Sequence, residues 1–211
     1  IDDTDTSILA SNVLNYVWKN LHEREKLVLR ALAESLGSES EEDFAEILRT
    51  EINYKNFKKA IKSLRKLNLI IQKRGTVYIE LHPLVKEFIR YNYISEERNV
   101  YISLLINYYD KMVVILKPRL NDKLTYDELK SFTNKIELSI NAKKYNDAIG
   151  HLLEIMTAMT NAGYIEEYLR VSKLLFDSIT WKRKTILEYP QFDILFIFIT
   201  SNIFLVEVIL F

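Results

Sequence analysis

The residues best placed to do chemistry lie between Asn53 and Leu67. Lys55, Lys58, Lys59, Lys62, Arg65 and Lys66 recur at spacings that, at about 100° per residue, gather them on one arc of a helix. Phe57, Ala60, Ile61, Leu64 and Leu67 fall on the opposite arc, so one face is core and the other cationic. Lys73 and Arg74 follow at a turn, and from Ile52 to Ile79 there are eight Lys or Arg and no Asp or Glu, whereas the preceding Glu39–Glu51 stretch is acidic. Such a surface could neutralise several phosphates, with binding that weakens steeply as salt rises. DNA is therefore the alternative ligand, held through its backbone, since only Asn56 and Arg65 on this helix are typical readers of base edges. An exposed lysine face is equally what ordinary solvation produces, or a docking surface for an acidic neighbour.

Other chemistry is not encoded in recognisable form. There is no Gly-rich phosphate loop, no G-x-S-x-G and no H-E-x-x-H, so no catalytic residue is assigned and the chain is not expected to be an enzyme on its own. His22, His82 and His151 stand singly, with no two at metal-ligand spacing, and no metal is expected. Glu41-Glu42 and Glu166-Glu167 sit in polar helix-start contexts, where solvated charge explains them. The absence of cysteine excludes disulfides and fits a cytoplasmic protein.

The elements that must position these residues read as mostly helical. In 211 residues, 48% hydrophobic and 27% charged, there are four Gly and three Pro, with long periodic runs between them. Lys plus Arg and Asp plus Glu each number 29, so the whole chain offers no global field toward nucleic acid or membrane. Residues 1–20 form a connecting helix on whose apolar face Trp18 packs, and a second helix runs from Leu21 through Leu36 to a C-terminal Gly37. Ser38–Glu42 is expected as loop, followed by a short helix over Asp43–Arg49. After the basic helix, Leu69-Ile70-Ile71 and Thr76-Val77-Tyr78-Ile79 flank a Gly-containing turn as a hairpin. A further helix begins at His82-Pro83, since proline suits a first helical turn. Three helices followed by a hairpin predict a winged-helix domain over 21–95.

The region 96–211 is expected to be an array of α-helical hairpins. A helix near Glu96 stops at Pro118; Glu128–Asn141, Tyr145–Asn161 and Tyr164–Ile179 follow, the last two starting about 19 residues apart with tyrosines in matching positions. In Phe192–Phe211, fifteen of twenty residues are apolar. Asp193, Thr200, Ser201, Asn202 and Glu207 interrupt that run, which favours a buried repeat helix there over its two alternatives, a membrane span and a truncated segment that is normally covered.

The segment L67-N-L-I-I-Q-K-R-G-T-V-Y-I-E-L-H-P-L-V-K-E-F-I90 resembles the winged-helix segment of signal-transduction NTPases of the STAND class, the AP-ATPase, NACHT and related switches. Leu21–Leu36 looks like the first helix of the same module. The stretch N134-K-I-E-L-S-I-N-A-K-K-Y-N-D-A-I-G-H-L-L-E-I with G163-Y-I-E-E is similar to the tetratricopeptide-type repeats that often follow. Together the resemblance covers most of residues 21–180. It implies a regulatory and sensor fragment whose NTPase domain would lie upstream of Ile1, with ATP or ADP bound by the longer protein and no cofactor in this portion. It further implies a protein partner on the helical array. Of the motif whose histidine contacts the β-phosphate of ADP, only Leu81-His82 carries over, because Pro83 stands where an acid is expected. His82 is accordingly either a phosphate contact or a helix-capping residue.

Overall fold

The computed structural model describes residues 3–72, 75–122, 124–180, 188–189 and 191–209, with side chains described between Asn12 and Thr200 within those ranges. It is mostly helical, with one small sheet. The chain divides into two units, 1–105 and 106–211. The division falls inside a single helix.

The first unit contains α1 (Asp3–Asn20), α2 (Glu23–Glu34), β1 (Glu39–Ser40), α3 (Glu41–Ile47), α4 (Tyr54–Lys66), β2 (Ile70–Gln72), β3 (Tyr78–Leu81), α5 (Pro83–Asn92) and the start of α6 (Ser95–Leu116). The amphipathic period of α4 has its expected result: Phe57, Ala60, Ile61 and Leu64 are buried, and α4 packs on α2, whose Val28, Leu29 and Leu32 are buried as well. Each such large apolar side chain removed from water contributes about 1.5–3 kcal/mol before chain entropy is set against it. Trp18 packs in tilted contact with Phe88 and Tyr93, at ring separations of 6.1 and 5.7 Å, as a packing residue of α1.

Two local expectations are corrected. The α2 helix stops at Glu34 with Ser35 as its cap, and Gly37 is not among the residues with positive φ, so it is not the left-handed terminator read from the sequence. The supposed loop at Ser38–Glu42 contains β1, and the next helix starts at Glu41 rather than Asp43. The sheet order is β1-β3-β2, antiparallel throughout, with Glu39 opposite Ile79 and Ile70 opposite Leu81. The backbone N–H of Glu41 extends the β1 pairing by donating to the Val77 carbonyl at 3.2 Å.

The second unit contains the rest of α6, a 3₁₀ turn at Lys117–Arg119, α7 (Tyr126–Asn141), α8 (Tyr145–Asn161), α9 (Ile165–Ser178) and α10 (Phe192–Ile209). Leu129, Phe132, Ile136, Leu152, Ile155, Tyr168, Val171 and Leu175 form its core, and Leu195 and Ile199 of α10 join them. The α7 and α8 helices end in the same turn. Lys143 (φ 60°) and Gly163 (φ 82°) take the left-handed position, while the backbone N–H of Lys144 donates to Ser139 O at 2.8 Å and that of Tyr164 to Met159 O at 2.9 Å. No described helix is long and apolar enough to cross a membrane.

Candidate functional site

The cationic face of α4 is divided by the fold into two parts. Lys58 and Arg65, seven residues apart, turn to one flank and both bind the carboxylate of Glu41 at the first turn of α3. Arg65 Nη2 donates to Oε2 at 2.5 Å, and Lys58 Nζ donates to Oε1. The Glu41 side chain is 9% exposed, against 45% for Lys58 and 32% for Arg65, so the acid is the buried member of the group. Burial pushes the Glu41 carboxyl up, but hydrogen bonds from Lys58 and Arg65 outweigh it and hold the pKa below the ordinary value. The hydrogen bond to Glu41 raises Lys58 above its own ordinary value.

Lys55, Lys59, Lys62 and Lys66 form the second part. Their i, i+4, i+7, i+11 spacing sets them within about 60° of one another along some 16 Å of helix. All four are exposed and have no ion pair among the described residues. Asn56 does not join them. It is half-buried, and its backbone N–H donates to Asn53 Oδ1 at 3.0 Å to cap α4. Lys73 and Arg74 lie outside the described residues.

His82 stands where β3 passes into α5. Its Nδ1 accepts the backbone N–H of Leu84 at 3.3 Å, which makes it the N-cap of α5 and leaves the proton of the neutral ring on Nε2. Pro83 occupies the first helical position, where its missing N–H costs no hydrogen bond. The His82 N–H donates to Leu69 O at 3.3 Å, closing the hairpin end onto the helix start. The ring is half-buried, and Nε2 has no partner among the described residues.

The corner is held by cations at the α2 C-terminus. Arg90 Nε donates to Ala33 O at 2.9 Å and Lys86 Nζ to Ser35 O at 2.7 Å, satisfying carbonyls that a helix end leaves open. Both donors belong to α5, so the helix that His82 caps is anchored to α2 at two points.

Comparison with protein-family models, curated proteins and solved structures gives no match. The geometry of the chain itself therefore carries the functional argument. Among the described residues, no group of three His, Cys, Asp or Glu is arranged to hold a metal ion. In the second unit an apolar groove of about 510 Å³ lies along α9 and α10, lined by Leu169, Phe176, Phe196 and Ile199, with Arg170 and Lys173 at its rim. Both rim cations are already paired: Arg170 with Glu137 and Glu167, each at 2.8 Å, and Lys173 with Asp177 at 2.5 Å.

Sequence periodicity located α4 and its cations, but not the acid that claims two of them. Glu41 lies 17 and 24 residues from its partners, and a helix-period argument has no reach over that separation. The available signal was the exceptional acidity of the segment entering α3, directly before a segment with no acid at all.

Proposed function

We propose that this chain is the regulatory and sensor portion of a STAND-type NTPase switch, working in the cytoplasm by intramolecular regulation and protein–protein contact. In this reading α2, α3, α4 and the β2–β3 hairpin form a winged helix, and α7 to α10 form a tetratricopeptide-like array that receives a protein partner. The catalytic NTPase domain is upstream and supplies the ATP or ADP site. The observation that carries the reading is the Leu81-His82-Pro83 corner. Its histidine is fixed through Nδ1, while Nε2–H is left as a donor suited to a phosphate oxygen.

The test is ADP release from the protein joined to its nucleotide-binding half. Loss of one hydrogen bond to a charged phosphate corresponds to roughly a tenfold or greater rise in ADP off-rate for His82→Ala. An unchanged off-rate removes the proposed contact.

A second reading, a winged-helix DNA-binding regulator with a helical dimerisation or effector domain, is favoured by the exposed Lys55, Lys59, Lys62 and Lys66. It requires duplex DNA binding at about 50 mM salt that weakens steeply as salt is raised. The capture of Lys58 and Arg65 by Glu41 weighs against it, because it removes the arginine from base contact.

A further inference from the structure

The α4 flank shows how this helix handles a carboxylate. Lys58 and Arg65 stand seven residues apart and close from two sides on one acid brought by another element. The same i, i+7 spacing recurs on the outward stripe, as Lys55 with Lys62 and as Lys59 with Lys66. These two pairs are exposed and have no acid among the described residues.

We propose that the Lys55–Lys59–Lys62–Lys66 stripe is a docking surface for an acidic polypeptide helix, taking one carboxylate between each lysine pair. The two pairs are offset by four residues, about 6 Å along the axis, which is the rise between acids at i and i+4 on a partner helix. The partner is therefore a helix presenting Asp or Glu in the pattern acid-x-x-x-acid. Three features favour it over a nucleic-acid backbone. The stripe contains no arginine, Asn56 lies about 100° around the helix from Lys55 and so off it, and the adjoining flank already has a carboxylate as its ligand. The proposal rests on the protein-contact part of the switch reading, and not on the nucleotide contact of His82.

The experiment measures binding of two labelled probes to this chain at about 50 mM salt: a helical peptide with glutamates at i, i+4, i+7 and i+11, and a random-sequence DNA duplex. The variant replaces Lys55, Lys59, Lys62 and Lys66 by Gln, with far-UV circular dichroism as the check that α4 is intact. Peptide binding weakened at least tenfold in the variant, with the duplex bound more weakly than the peptide, is the expected result; four exposed ion pairs contributing about a factor of two each reach that change. Tighter, stripe-dependent duplex binding overturns the proposal in favour of nucleic acid. Binding of neither probe, or peptide binding indifferent to the variant, overturns it outright. A Lys58→Gln variant separates stripe from flank: it disturbs the Glu41 group and is expected to leave peptide affinity within about twofold. ADP release responds to His82→Ala independently of these outcomes, so failure here and failure of the nucleotide contact are distinguishable.

Discussion

Arg98 at the start of α6 grips Glu34 at the end of α2 with two parallel bonds, Nε to Oε1 at 2.8 Å and Nη2 to Oε2 at 2.9 Å. The carboxylate is 1% exposed and lies at a helix C-terminus, where the macrodipole disfavours an anion. Replacing Arg98 by Met leaves that buried charge with Arg90, 3.9 Å away, as its remaining cation among the described residues. Truncating one partner of a buried pair is costly, and we expect Arg98→Met to destabilise the first unit by about 3 kcal/mol. Urea unfolding checks this, and the double change Glu34→Gln with Arg98→Met should recover part of the loss. A single variant no less stable than the parent would show that the carboxylate is solvated.

The Glu41 group predicts how stability depends on pH. The folded carboxyl is more acidic than the free one, so its contribution is complete above the ordinary value of 4.5 and is lost as pH falls through the lower folded value. Lys58 has the opposite sense: its contribution is complete below 10.5 and is lost as pH rises through the higher folded value. Glu41→Gln should cost roughly 2 kcal/mol near neutrality and less at acid pH, where the parent has lost the same interaction. Melting temperatures of the two proteins measured from pH 3 to 7 should therefore converge as the pH falls. Parallel curves would mean that another carboxylate governs the acid limb.

Lys143 and Gly163 offer a matched backbone test. Both take left-handed φ at the same point of the same turn, but lysine has a Cβ that disfavours that region by roughly 1–2 kcal/mol. We expect Lys143→Gly to stabilise the second unit by about 1 kcal/mol. Gly163→Ala should destabilise it by a similar amount, wholly from the backbone, since an added Cβ there meets nothing within 4 Å. Thermal unfolding reads both, and a destabilising Lys143→Gly would show that the lysine side chain makes a contact worth more than the strain.

How much of this was legible beforehand follows from the range over which each interaction acts. The basic helix was read as Asn53–Leu67 and is found at Tyr54–Lys66, because an i, i+3, i+4 pattern and an Asn cap are both local signals. The start of α5 at Pro83 was legible for the same reason. Strand β1 was not, since Glu39-Ser40 has no β-branched or aromatic residue and is a strand only because Tyr78 and Ile79 offer it a partner. The division of the cationic face was equally hidden. It depends on where α3 brings Glu41, a matter of tertiary packing that no window along α4 contains.

The three-stranded sheet has a consequence for the behaviour of the protein at high concentration. Among the described residues, its central strand β3 is flanked by outer strands of two and three residues, and one of these carries a carboxylate. A foreign strand needs a longer row of open N–H and C=O groups to find a register and hold it. The sheet is thus a poor template for edge-to-edge growth. Lengthening β1 by replacing Glu41 and Glu42 with β-branched residues would put that protection at risk, with light scattering as the direct measure of the result.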